Sequence, residues 1–199
     1  LVTDRATIIG AANTLIFRRD GKIHADNTDG YGFIANLRQA APDWQPAAGA
    51  AAVLGAGGAA RAVISSLLEV GVPQILLSNR TKPKADALRS GFGSRIDVVD
   101  WGQAGNMPED AATVVNTTSL GMTGAPELRV PLDGLNRAAL VTDLVYSPLR
   151  THLLEEAAAL GCRTVDGLGM LIHQAVPAFE RWFGVRPEVT DETRRALLK

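Results

Sequence analysis

Val53-Leu54-Gly55-Ala56-Gly57-Gly58-Ala59-Ala60-Arg61-Ala62, followed about 20 residues on by Ser78-Asn79-Arg80-Thr81, decides the fold of this chain. The small apolar run from Ala50 to Leu54 reads as a buried strand. Gly55, Gly57 and Ala60 then fill the three positions of a G-x-G-x-x-G/A fingerprint, with a helix starting near Ala59. Gly55 allows the tight turn and Gly57 lets backbone approach a pyrophosphate. Ala60 lets the helix pack close to the strand, so that its N-terminal N–H groups and dipole meet the phosphates. Where an NAD-binding unit usually carries Asp or Glu for the ribose 2′-hydroxyl, this chain has Asn79-Arg80-Thr81 with Lys84 close behind. An acid there repels a phosphate and an arginine attracts one, so the pair of motifs points to NADP. The competing reading is a glycine-rich turn followed by a solvated basic stretch.

Composition sets wide bounds around that core. The 199 residues are 46% hydrophobic and 21% charged, and 20 Lys and Arg against 21 Asp and Glu leave a formal net charge of −1. A sizeable core is therefore possible, and no strong field attracts nucleic acid or a membrane surface. No apolar run is long enough to span a bilayer, and Leu1-Val2-Thr3-Asp4-Arg5 does not read as a signal peptide, so the expected compartment is cytoplasmic. Cys162 is the single cysteine, which rules out an internal disulfide framework and a thiolate zinc cluster. His24, His152 and His173 show no ligand spacing and are read as surface or packing residues; no metal is expected.

The chain divides into three parts. In residues 1–29, Asn13 to Phe17 and Lys22 to Ala25 look like two strands joined at Arg18-Arg19-Asp20-Gly21, where Asp-Gly is a hairpin signal. In residues 30–166, a helical stretch with apolar Tyr31, Phe33, Ile34 and Leu37 precedes alternating strands and helices. Strands are expected at Ala50–Leu54, Gln74–Ser78, Ile96–Val99, Thr113–Asn116, Leu140–Leu144 and Arg163–Val165, with helices at Ala59–Val70, Pro83–Ser90 and Thr151–Leu160. Continuous apolar strands separated by helices imply an α/β fold with a doubly wound parallel sheet, whose ligands sit at the carboxyl ends of the strands. Residues 167–199 are helical: Leu168, Leu171, Ile172, Ala175, Val176, Phe179, Trp182 and Phe183 repeat every three or four positions and are expected to form one buried face. Gln174 lies off that stripe, facing either a cleft or water. Gly184 and Pro187 end the helix, and Thr190 or Asp191 can cap a last one.

Seven blocks in order resemble the shikimate dehydrogenases, which reduce 3-dehydroshikimate to shikimate with NADPH. They are Gly10 to Thr14, Asn27 to Gly30, Gly55 to Ala59, Asn79 to Thr81, Asn116 to Met122, Asp143 to Tyr146, and Asp166 to Leu171 with Gln174-Ala175. The resemblance implies a Rossmann-like NADP domain over residues 30–166. Remnants of a smaller α/β substrate domain are implied at both ends, the hairpin of residues 1–29 and the helices of 167–199. It assigns Asn13, Asp29, Tyr146 and Gln174 to the substrate. It assigns Gly55, Ala56, Gly57, Gly58, Ala59, Asn79, Arg80, Thr81, Lys84, Thr117, Leu144, Gly167 and Met170 to NADP, with Asp4 at the margin.

A polyhydroxylated cyclohexene acid needs several hydrogen-bonding side chains around it, and Asn, Asp, Tyr and Gln supply donors and acceptors. In the family a lysine and the aspartate matched by Asp29 form the acid/base pair, so Asp29 is the expected catalytic residue; its other reading is a helix cap at Gly30. That lysine and a serine-rich substrate motif lie upstream of the block matched by Gly10 to Thr14, so the resemblance reads this chain as the carboxyl-terminal portion of a longer dehydrogenase. Two alternatives stay open on the same blocks: an NADP-binding module without turnover, and a quinate/shikimate dehydrogenase. The apolar terminal parts would be covered by the hairpin or by a second copy, which leaves a homodimer open.

Overall fold

The computed structural model describes residues 1–198; Lys199, the end of the third part, lies outside the described residues. Thr3 caps a first short helix, α1 (Asp4–Ile9), by accepting from the Ala6 N–H at 3.2 Å. Six residues are too few to show a period, so the cap was its only signal in the sequence. The hairpin follows, β1 (Thr14–Phe17) antiparallel to β2 (Ile23–Asp26). It is fastened by a buried anion. Asp26 accepts from Thr3 Oγ1 at 2.7 Å and from the Asn27 N–H at 2.8 Å, with Arg5 at 3.4 Å and Arg181 at 2.8 Å. Burial raises its pKa, but the hydroxyl, the amide and the two guanidiniums outweigh this and hold it below the ordinary carboxylate range.

The helix α2 (Asp29–Ala40) leads into the alternation anticipated from the apolar runs: β3 (Ala50–Leu54), α3 (Gly58–Glu69), β4 (Ile75–Ser78), α4 (Lys82–Phe92) and β5 (Ile96–Val99). After a 3₁₀ stretch at Trp101–Glu109 come β6 (Ala111–Asn116), β7 (Leu140–Asp143), α5 (His152–Ala159) and β8 (Arg163–Val165). The chain closes with α6 (Leu168–Phe183) and α7 (Asp191–Ala196), the latter capped by Thr190 as expected. The strands form one six-stranded parallel sheet in the order β5-β4-β3-β6-β7-β8. One core cluster, with Phe33, Val63, Ile64 and Leu77, covers one face; a second, with Met107, Val114, Leu132 and Leu153, covers the other. Burial on both faces is why the strands read as continuous apolar runs. The order reverses direction between β3 and β6, so the crevice for a ligand opens at the carboxyl ends of those two strands.

The helix α6 departs from its sequence pattern. Leu168, Ile172 and Val176 are buried, but so are Gly169, His173 and Ala178, whereas Leu171, Phe179, Trp182 and Phe183 are exposed. In its first half α6 lies against α2 at a point of very close approach, which buries Gly169 and His173 beside Leu168 and Ile172; Phe179 and Phe183 follow on the same face further along and are exposed. A Cβ on Gly32 of α2 would sit 2.7 Å from the Gln174 nitrogen and the Met170 oxygen, both backbone atoms. His173 is accommodated by a 2.8 Å hydrogen bond with Gln39 Oε1, and burial lowers the imidazole pKa. At the outer end, the Trp182 indole donates to the Leu15 carbonyl at 3.1 Å, tying α6 to the hairpin. Gly32→Ala is expected to force the helices apart and cost about 2 kcal/mol or more, as overpacking against backbone does. Urea unfolding checks this through the midpoint, and an unchanged midpoint would remove the close-approach account.

Candidate active site

At the carboxyl end of β3 the backbone turns at Gly55, whose φ of +106° favours glycine; a Cβ there would lie 2.6 Å from Thr117 Oγ1. The Thr117 hydroxyl donates to the Leu54 carbonyl at 2.7 Å, locking the β3 and β6 ends together. Gly57 and Gly58 are different. A Cβ on either would meet nothing within 4 Å, so no internal contact requires glycine there. Gly57 is the N-cap of α3 and no side chain caps the helix, which leaves the first-turn N–H groups, Gly58 and Ala59 among them, open to an anion. Ala60 is wholly buried against the sheet, as the third fingerprint position demands.

Asn79, just past β4, braces this loop. Its Oδ1 accepts from the Ala56 N–H at 3.1 Å and its Nδ2 donates to the Thr81 carbonyl at 2.8 Å, so the glycine loop and the basic stretch move as one. Arg80 and Lys84 are exposed and join no ion pair among the described residues, whereas neighbouring Lys82 is held by Asp86 and Asp100. Gly55, Ala56, Gly57, Asn79, Arg80, Lys84 and Thr117 line one cleft of about 220 Å³ together with Trp101, Thr118, Ser119 and Leu120. Thr118, Ser119 and Leu120 belong to the Asn116–Met122 block, although no individual role was assigned to them; Trp101 lies outside every block. Trp101 follows the end of β5 as Asn79 follows β4, and the rule that ligands meet strand ends would have found it.

Leu144, Gly167 and Met170 sit apart from that cleft, over the ends of β7 and β8. A Cβ on Gly167 would lie 2.2 Å from the Leu144 carbonyl oxygen, and Leu144 donates its N–H to the Asn116 carbonyl at 3.0 Å. Strand order thus strings the assigned residues along one edge, from Arg80 beside β4 through the glycine loop at β3 to Gly167 after β8.

Of the four residues assigned to substrate, Asn13 and Asp29 are in direct contact. Asn13 Oδ1 accepts from the Thr28 N–H at 3.0 Å and the Thr28 hydroxyl at 3.1 Å, which fixes the amide so that its Nδ2 donates to Asp29 Oδ1 at 2.8 Å. The cap reading of Asp29 is corrected: α2 begins at Asp29 itself, with Thr28 at the cap position, and the carboxylate turns to Asn13. Gln174 is half-buried against Gly32, one turn further along α2. Tyr146 is 50% exposed on the loop after β7 and makes no hydrogen bond among the described residues. Asn13 and Asp29 are thus joined by a hydrogen bond, and Gln174 packs on the same helix α2 that Asp29 begins.

The comparisons with known proteins agree with this fold. The Shikimate 5′-dehydrogenase C-terminal domain family matches residues 167–198. Across its whole length the chain is 73% identical to a shikimate dehydrogenase (NADP(+)) of Cereibacter sphaeroides, spanning 71% of that protein. The chain belongs to the shikimate dehydrogenase family. Among solved structures, shikimate 5-dehydrogenase from Thermus thermophilus in complex with NADP(H) and shikimate is 36% identical with a TM-score of 0.81, over 94% of this chain and 67% of that one. Quinate dehydrogenase from Corynebacterium glutamicum in complex with NAD is 33% identical with a TM-score of 0.89, over 99% of this chain and 71% of that one. In a shikimate dehydrogenase fold the reversal between β3 and β6 is the place where a dinucleotide lies.

Proposed function

We propose that this chain is an NADP-dependent oxidoreductase that interconverts 3-dehydroshikimate and shikimate, acting on the CH–OH group. The observation that carries this reading is the cleft joining the bare Gly57–Gly58 loop to Arg80 and Lys84, which have no ion-pair partner among the described residues, in a chain of this family. A diphosphate meets the first-turn N–H groups of α3, and the two cations attract the 2′-phosphate that NAD lacks. NADPH, when bound, supplies the hydride for C3 of the ring.

The residues of this chain position the reacting groups. Asn13 holds Asp29 in one orientation. Its carboxylate positions the proton-donating cation, the lysine implied by the family resemblance, at the oxygen whose carbon receives hydride. Tyr146 and Gln174 complete the ring of donors and acceptors around the substrate hydroxyls and carboxylate. The hairpin of residues 1–29 together with α6 forms the substrate side, which the Asp26–Arg181 pair and the Trp182–Leu15 hydrogen bond support; residues 30–166 form the cofactor side. No helix among the described residues is long and apolar enough to cross a membrane. A cytoplasmic site of action agrees with the single, buried cysteine.

Quinate with NAD is the competing pair, and the basic residues beside β4 favour shikimate with NADP. Reduction of NADP and NAD, each with shikimate and with quinate, decides between them. Turnover highest for shikimate with NADP is expected. Faster turnover of quinate with NAD would overturn the assignment, and cofactor binding without turnover of either substrate would leave a nucleotide-binding module.

A further inference from the structure

Asp143 ends β7 with no exposed surface, and every group around it donates to it. Its Oδ1 accepts from Asn116 Nδ2 and from the Val145 N–H, each at 2.9 Å, and its Oδ2 accepts from Thr151 Oγ1 at 2.7 Å. Two N–H groups and a hydroxyl thus converge on its two oxygens. Burial raises the pKa of this group, and the three hydrogen bonds oppose that shift. The arrangement has a local cost: Thr151 stands at the N-cap of α5 yet makes no capping bond, its hydroxyl being taken by Asp143.

What hangs from this carboxylate is two loops. Asn116, held by Asp143, also donates to the Leu120 carbonyl at 3.2 Å. Its Oδ1 accepts from the Thr118 N–H at 3.0 Å and the Thr118 hydroxyl at 2.7 Å, and Thr118 Oγ1 in turn accepts from the Leu120 N–H at 3.0 Å. The segment lining the cleft after β6 is thus folded around one amide that Asp143 orients. The second loop begins with the Val145 N–H and carries Tyr146. A dinucleotide anchored by phosphates at β4 and β3 extends across the crevice over β6 and β7, so its redox-active half lies on these two loops.

We propose that Asp143 is the positioning residue for the hydride-transfer half of the site, holding the Thr117–Leu120 and Leu144–Tyr146 loops in register with each other. It acts through Asn116 and Val145 and touches no ligand. This rests on the NADP reading above, but its first test does not. Asp143→Asn is isosteric, removes one acceptor and sets an N–H against a donor. Without ligand, the amides of Thr118, Leu120 and Val145 are expected to exchange hydrogen at least tenfold faster in the variant, with the amides of α3 unchanged. With shikimate and NADP, well below the melting temperature, kcat is expected to fall tenfold or more. NADPH affinity should stay within threefold and the preference for NADP over NAD should be kept, because Arg80 and the glycine loop are untouched.

Unchanged exchange at the three amides would overturn the proposal even if the enzyme turned over a different substrate. A lowered melting temperature with kcat within twofold would overturn it too, because it would mean a merely structural role. If Asp143→Asn does not fold, Thr151→Val removes a single donor: a kcat loss of twofold to fivefold with faster exchange at Val145 supports the proposal, and unchanged values of both overturn it.

Discussion

Arg80→Asp is expected to weaken NADPH binding by about 2–3 kcal/mol, on the order of 30- to 150-fold, while NADH changes far less. The physical reason is local. Arg80 and Lys84 are exposed cations without a partner among the described residues, at the mouth of a cleft whose other wall is the glycine loop. The substitution replaces attraction by repulsion at the 2′-phosphate only, and the Ala56–Asn79 hydrogen bond that braces the loop is not touched. Because the site is open to solvent, salt screens the contact, and the difference should shrink as ionic strength rises. Fluorescence titration with both reduced cofactors checks this. Equal losses for NADPH and NADH would remove Arg80 from 2′-phosphate recognition and leave the glycine loop as the only supported part of the cofactor site.

The second large effect is on turnover. Asp29→Asn retains an oxygen that can accept from Asn13 Nδ2 but removes the charge, so shikimate oxidation is expected to fall by about 10²-fold or more, with NADPH affinity unchanged. Stability should move little. Asp29 is the first residue of α2, not its cap, so folding loses only a favourable charge in the first turn, about 0.3–1 kcal/mol. Steady-state kinetics with a thermal melt on the same sample separate the two. Turnover preserved within a factor of two would mean that the carboxylate serves only the helix start.

The nucleotide-binding half was legible in the sequence because its determinants are local. Ala50 to Leu54 had to be buried whichever strands flank it, Gly55 marks the turn by its own backbone freedom, and Arg80 carries its charge whatever surrounds it. The order of blocks then named the family without a single long-range contact. Other features depend on what meets what. The period in α6 is real, but Gly32, from a helix far earlier in the chain, meets only its first half, so His173 ended inside while Phe179 and Phe183, further along, stayed exposed. Asp29 carries the same side chain whether it caps a helix or faces Asn13, and only the register of the hairpin against α2 settled that. Asp143 reads in sequence as the polar end of a strand. Its hydrogen-bond partners Asn116 and Thr151 are residues that only the parallel pairing of β6 with β7 and the return of α5 bring within reach. Motif chemistry belongs to residues and to neighbours along the chain. Burial, hydrogen-bond partners and the choice between equivalent faces belong to packing, because they are set by groups distant in sequence.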